Sequence, residues 1–440
     1  MRKIFAKDGL LDNYFEITKN GSNTKTEIVA GLTTFMAMAY ILIINPSILS
    51  AAGMDQGAVF TATALATVVS TLLTGIYAKL PFAQAPGMGL NAFFAYTIVL
   101  QMGYSYQFAL TAVFLEGIIF ILLTLFNVRE AIVDSIPDCI KKAISVGIGL
   151  LIALLGLQGA GVIVHPKDGG TILALGNLTS GPGLLAIIGL VITAILLARN
   201  VKGALFFGML ITAVVGIPLG LTPIPKAVVS MPPSIRSVLF NFDWSNIFSL
   251  DMVIILFTLL FMDLFDTIGT LVGVATKAKM LDENGRVPNI KKALLSDAIG
   301  TTFGGCVGTS TVSTFVESAA GVAEGGKTGL TAVVTAIMFA LALFFSPVFA
   351  SITSAVTAAT LILVGLFMIE PIREINLQDY TESIPAFLTI IMMPFTGSIS
   401  DGIMFGIISY IILKIFTGKI KEISVTTVII GVIFLLKFLV

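Results

Sequence analysis

Residues 83–97, AQAPGMGLNAFFAYT, and residues 308–321, GTSTVSTFVESAAG, decide how the rest of this chain is arranged. Each falls where an apolar membrane segment is due, yet each is broken by glycine, proline or a run of hydroxyl residues. The surrounding sequence is strongly apolar. Hydrophobic residues make up 56% of the 440 and charged residues only 11%, against roughly 25% in a soluble domain. Long uncharged runs recur from end to end, the mark of a polytopic membrane protein.

Apolar segments are expected near 28–49, 58–78, 83–100, 107–126, 143–163, 183–198, 203–220, 250–275, 293–308, 312–323, 329–349, 353–369, 384–397 and 400–417. That is fourteen spans, with a final apolar run at 423–440 whose placement, across the membrane or on it, the sequence leaves open. Loop charge tests the count. With the N-terminus in the cytoplasm, only Lys167, Lys226 and Arg236 of the 25 Lys and Arg fall outside, and Lys437 lies in the final run. All the others fall inside, as positive-inside bias requires. The polar first 26 residues lack the apolar core of a cleavable signal, so the first span is expected to be retained in a plasma or inner membrane.

Seven spans precede the loop TPIPKAVVSMPPSIRSVLFNFDWSN and seven follow it. Because seven is odd, a duplicated unit must lie inverted in the bilayer. The expected organisation is a cytoplasmic segment 1–26, a first repeat 27–220, an extracytoplasmic linker 221–249, a second repeat 250–418 and a terminal apolar segment 419–440. The two broken stretches are then the third span of each repeat. Matched interruptions in inverted halves point to a transporter binding site; glycine alone would also serve close helix packing.

Downstream of the second stretch, Gly321, Gly326, Lys327 and Thr328 satisfy G-x-x-x-x-G-K-[ST]. A phosphate-binding loop needs a soluble α/β sheet and a magnesium-holding aspartate, and no soluble segment here is long enough. The motif is read as a tight turn between spans. Cys139 and Cys306 are read as packing residues, and the single histidine, His165, excludes an H-E-x-x-H metal site. No cofactor or metal set is expected, and zero net charge gives no sign of nucleic acid.

Ionisable residues within membrane spans cost several kcal/mol and mark function by default. Four stand out: Glu317, Asp297, and the pair Asp263 and Asp266, three apart on one helix face. Each could instead cap a neighbouring helix. Glu324 lies nearer the turn and reads as interfacial. A span that starts in mid-membrane leaves N–H donors there, and carboxylates beside them accept from substrate N–H groups. Such a seat suits a small, flat, weakly ionised molecule with donors and acceptors.

At these residues the chain resembles the nucleobase–cation symporters, or nucleobase–ascorbate transporters, and within them the adenine/guanine/hypoxanthine permease branch. The resemblance runs from GLTTFMAMAYILIINPSIL (from Gly31) to the final spans. QAPGMGLNAFFAYT, FMDLFDTIGTLVGVA and STFVESAAGVAEGGKTGLTAV carry it most specifically. It implies an all-α fold of about fourteen spans in two inverted repeats, arranged as core and gate domains and often dimeric. The substrate would lie between the third and tenth spans, beside the eighth.

Carried over, Asp266 is the eighth-span carboxylate that contacts the base, where many relatives have glutamate. Glu317, with Ser318 next to it, is the tenth-span contact, Asn91 the third-span polar residue, and Asp297 the aspartate tied to the cycle. Thr34 stands where many xanthine and uracil carriers have histidine, which favours the purine branch. After Glu317 the chain has one more residue before glycine than the uracil pattern, so backbone contacts there are not carried over literally. Main-chain amides near Ser313–Glu317 and Gly87–Asn91 would bond acceptors of the base. Phe93 and Phe94 could stack on it, although packing is the commoner role.

The expected function is therefore secondary-active purine import by alternating access, with Asp266, Glu317 and Asp297 coupling it to protons rather than sodium. The expected partners are a purine nucleobase, the coupling cation, the bilayer and a second copy of the chain. The rivals are an anion transporter of the same fold and a prenyltransferase-like membrane enzyme. Two carboxylates at the half-helix ends argue against the first, and the lack of a second aspartate-rich motif against the second. The sequence does not separate adenine, guanine and hypoxanthine.

Overall fold

The computed structural model describes residues 9–126, 137–165, 173–225, 227–277, 280 and 287–439. Of the loop charges, Arg2, Lys3, Lys7, Arg129, Lys167, Lys226, Lys279 and Arg286 lie outside the described residues, as does 1–8 of the N-terminal segment. Fourteen membrane segments succeed one another. The first repeat has Thr24–Met38 continued by Ile41–Ala51, Gln56–Leu73 extended by a π-helical turn to Ala78, and a broken third segment. Tyr106–Leu125, Asp138–Gly159, Gly181–Ala198 and Ala204–Gly216 complete it. The second has Leu250–Lys277, Ile290–Val307, a broken tenth segment, Gly329–Ala342 continued to Ala350, Ser354–Met368, Tyr380–Thr396 and Ile399–Phe416. Among the described residues, seven helices are long and apolar enough to cross a membrane. The remaining segments are shorter, interrupted or carry charged side chains.

The third and tenth spans cross through strands. Strand β1, Gln84–Pro86, pairs antiparallel with β2, Val312–Thr314, with Ala85 opposite Ser313. Each strand leads into helix: Met88–Ala92 and a π-helical Phe93–Gln101 after β1, Ser318–Ala323 after β2. Extended backbone at membrane depth is tolerated only when its polar groups are satisfied inside the protein. Here each strand supplies the other. The Gly87 N–H donates to Thr311 O and the Phe315 N–H to Ala83 O, both at 3.0 Å. The second span braces β1, since Thr71 Oγ1 accepts from the Gln84 N–H and donates to its carbonyl.

Helix packing sorts the spans into two groups. The ninth lies against the second and fourth, the eleventh against the first and second, and the tenth half-helix against the first. The fifth lies against the twelfth and thirteenth, the thirteenth against the fourteenth, and the sixth against the seventh and twelfth. Spans 1–4 and 8–11 thus form a core, and 5–7 and 12–14 a gate. The contacts obey the inverted repeat. The second-to-eleventh contact is the counterpart of the ninth-to-fourth, and the fifth meets its own counterpart, the twelfth. There a Cβ on Gly149 would meet Gly365 O at 2.7 Å, and one on Gly365 would clash with Gly149 O. Those helices touch backbone to backbone, as small residues permit in membranes.

Two elements complete the fold. The long linker lies over the core: Thr61 Oγ1 donates to Pro233 O at 2.8 Å, the Phe240 N–H to Cys306 O at 2.8 Å, and the Asp243 N–H to Thr111 Oγ1 at 2.9 Å. The final helix, Val425–Leu439, packs on the fourteenth and eighth spans. Its 15 residues reach roughly 22 Å at 1.5 Å per residue, short of a hydrocarbon core of about 30 Å.

Candidate functional site

The crossing of β1 and β2 gathers polar side chains from several spans. From the eighth, Asp266 accepts the Ser313 hydroxyl of β2 at 2.7 Å. A Cβ on Gly87 would lie 2.7 Å from Ser313 Oγ and 3.3 Å from Asp266 Oδ2. Only glycine therefore lets the third span approach this pair so closely. Asp266 itself remains exposed. The N–H groups of Met88, Gly89 and Leu90 open a helix and have no earlier turn to bond to; no acceptor for them occurs among the described residues.

Glu317 immediately precedes the tenth half-helix, and its Oε1 accepts the Tyr40 phenol at 2.5 Å. Tyr40 is buried at the break between Met38 and Ile41, where the first span changes helix. Tyr40, Glu317 and Asp266 lie within electrostatic reach of one another. The resemblance carried the first-span contact to Thr34 instead. Thr34 is fully buried; its hydroxyl has no partner and faces the space that a side chain on Gly321 would fill. It packs against the tenth half-helix, whereas Tyr40 reaches the carboxylate. Asn91 is buried beside the crossing, its Oδ1 accepting from Ser310 and its Nδ2 without a partner among the described residues. Ser318 holds the crossing together, since its hydroxyl accepts the Ala83 N–H at 3.0 Å. Phe93 and Phe94 are both fully buried in the apolar core.

Asp263 and Asp266 share a helix face but turn to different partners. Thr267 Oγ1 lies 3.2 Å from Asp263 Oδ1 and 3.1 Å from Asp297 Oδ1, with both carboxyls fully buried. One hydroxyl has one proton, so it donates to these two by turns. The same oxygen accepts the Thr314 N–H of β2 at 3.3 Å. Asp297 is thereby connected to the crossing through Thr267.

Three features escape a reading of the sequence alone. Glu27 of the first span is fully buried and fills the glycine-lysine turn: it accepts the Lys327 N–H at 3.0 Å, the Thr328 N–H at 3.2 Å and the Thr331 hydroxyl at 2.6 Å. A carboxylate of the chain itself sits where a phosphate would sit in a nucleotide-binding loop. Glu116 of the fourth span, also fully buried, accepts the Thr311 hydroxyl at 2.5 Å. A cavity of about 960 Å³ lies beside the tenth half-helix, lined by Ala319, Val322 and Ala323 and by Lys79, Lys292 and Lys327. Glu27 follows the polar N-terminal segment, where a carboxylate reads as interfacial. A lone Glu116 in an apolar run was the signal that could have been followed.

Comparison with known proteins agrees with this architecture. A model of the Permease family matches residues 25–405. The chain is similar to the guanine/hypoxanthine permease PbuG of Bacillus subtilis, 45% identical, with 98% of this chain and 99% of the relative covered. It is 42% identical to the adenine permease AdeP of Escherichia coli, covering 98% and 96% respectively. Among solved structures, the transmembrane domain of the cyanobacterial bicarbonate transporter BicA superposes with a TM-score of 0.65 at 16% identity. It covers 87% of this chain and 97% of that one, a likeness of fold alone.

Proposed function

Because the chain belongs to the permease family, a family of multi-pass membrane transporters and not of enzymes, we propose that it carries purine nucleobases across the membrane by alternating access. One observation carries the reading: two carboxylates from different spans, Asp266 and Glu317, come together where the broken third and tenth spans cross. A purine presents ring and amino N–H donors on one edge and ring nitrogens or a carbonyl on another. Asp266 and Glu317 accept from the donors, each held by a hydroxyl, Ser313 or Tyr40, that the base can displace or share. The N–H groups of Met88–Leu90 and the free amide of Asn91 serve the acceptors, while Ser318 and Thr34 fix the half-helix that brings Glu317 to the seat. The permeases for adenine and for guanine and hypoxanthine that this chain resembles over nearly its whole length support the same substrate class. BicA shares the fold, but a seat with two carboxylates repels an anion.

Protons drive the cycle in this reading. Asp297 changes charge, Thr267 redirects its hydroxyl between Asp263 and Asp297, and the Thr314 N–H passes the change to β2. The repeats 27–220 and 250–418 supply the core and gate that rock about the seat, the N-terminus faces the cytoplasm, and the working unit is a homodimer. The test is uptake of labelled hypoxanthine in purine-carrier-deficient cells, challenged with unlabelled adenine, guanine, xanthine and uracil. Saturable uptake blocked by purines and not by uracil is expected. A well-inserted protein that takes up no purine refutes the assignment, and dependence on sodium instead of a proton gradient refutes the coupling.

A further inference from the structure

The strand β2 is held on three sides. The ninth span holds it through Thr301, whose hydroxyl donates to Val312 O at 3.0 Å and accepts the Val312 N–H at 3.2 Å. The eighth holds it through Thr267 and the Thr314 N–H. The third hold is Glu116 of the fourth span on Thr311, the residue just before the strand, and like that of Asp266 on Ser313 it is made by an ionisable group. A carboxyl group in mid-membrane costs several kcal/mol, which an ordinary hydroxyl contact would not. Glu116 sits where the fourth and ninth spans touch most closely, since the next residue, Gly117, faces the Thr302 backbone without room for a side chain. It is fully buried.

We propose that Glu116 is a positioning residue for substrate binding, acting through Thr311 to fix the register of β1 against β2. The Thr311 carbonyl accepts the Gly87 N–H, and Gly87 is the N-cap of the short helix Met88–Ala92 that follows β1. The hydroxyls on either side of Thr311 point to seat residues, Ser310 to Asn91 and Ser313 to Asp266. Anchoring the Thr311 side chain to the fourth span orients that carbonyl. The backbone pairing of two three-residue strands is too short to fix the register by itself, and a slip of one residue turns every side chain to the opposite face.

This inference rests on the purine seat lying at the crossing, so its test has one readout that needs substrate and one that does not. Glu116→Ala and Thr311→Val are each expected to raise the KM for hypoxanthine uptake about tenfold or more at unchanged membrane abundance, with the double variant no worse than either. Thr311→Ser keeps the hydroxyl, and Glu116→Gln keeps an acceptor oxygen; both are expected to stay within a few-fold of wild type. In purified protein, hydrogen–deuterium exchange across residues 84–91 and 311–315 rises in the two damaging variants and not in the two conservative ones. Unchanged KM in Glu116→Ala, additive losses in the double variant, or unchanged exchange at the crossing overturns the proposal. If Glu116→Ala fails to reach the membrane, Thr311→Val decides between the same two outcomes. Wild-type protein that takes up no purine refutes the substrate assignment instead, and the exchange data still decide the role of Glu116.

Discussion

Glu317 and Asp266 are each held by one hydroxyl, so each has acceptor capacity to spare for a ligand. Glu317→Gln and Asp266→Asn replace an acceptor-only group by one that also donates. Uptake is expected to fall at least tenfold, or to change its preference among purines, at normal membrane abundance; wild-type uptake in both would remove them from the seat. Tyr40→Phe deletes only the donor to Glu317. Hydrogen bonds to charged groups contribute about 1.5–3 kcal/mol, so a KM rise of roughly tenfold or more is expected in uptake assays where the phenol orients Glu317 for the base, and no rise where the base displaces it. The glycine-lysine turn makes the opposite case. Lys327 gives Glu27 its main-chain N–H, which Lys327→Ala preserves, so uptake should hold within a few-fold. Glu27→Ala strands two amides and a hydroxyl, at about 1–3 kcal/mol each, and should lower the melting temperature in detergent markedly; equal effects of the two variants would contradict this. The carboxylates could be read from sequence because a charge inside an apolar run is conspicuous. Tyr40 could not, because AMAYILIIN reads as apolar packing and the turn of the helix at Ala39–Tyr40 has no glycine or proline to announce it.

At the scale of elements, the broken third and tenth spans were legible because glycine, proline and hydroxyl residues cannot be explained within simple helices. Their pairing as strands was not, since three-residue strands carry no periodicity and their partner lies more than two hundred residues away. Contacts between helices were equally hidden, as with Gly149 and Gly365, where Gly149→Val is expected to separate the fifth and twelfth spans and reduce folded protein in the membrane. Normal yield and melting would show that the gate tolerates the separation. The far end of the thirteenth span offers a pH test. Asp379 caps it, and Lys419, with Thr381, holds the Asp379 carboxyl well below the ordinary carboxylate range. A lowered folded-state value means a contribution present above the unfolded value near 3.8 and lost as pH falls below it. Asp379→Asn should therefore flatten the decline in melting temperature between about pH 5 and 2. The same slope in wild type and variant would show that this pair is not linked to stability.

For the whole molecule, the count of spans and the inversion followed from loop charge and from the parity of seven, whereas the division into core and gate depends on contacts that no local pattern encodes. If those groups rock against each other, contacts between them on one side must form and break in every cycle. Lys202, in the turn between the sixth and seventh spans of the gate, pairs with Glu324 at the end of the tenth half-helix in the core. Glu317 lies at the other end of that same short helix, so the pair ties the gate to the element that carries the seat. The side chain of Lys202 is 53% exposed and that of Glu324 24%, and exposed pairs contribute at most about 1 kcal/mol, or about fivefold in a two-state population. Losing the pair should redistribute conformations without stopping transport. Lys202→Ala and Glu324→Gln should each change the uptake rate less than tenfold. Lys202→Glu, which sets like charges together, should do more, and adding Glu324→Lys should restore it. Failure of the swapped pair to recover would mean that the contact does not act through charge, and complete loss in Lys202→Ala would mean that it is more than a latch.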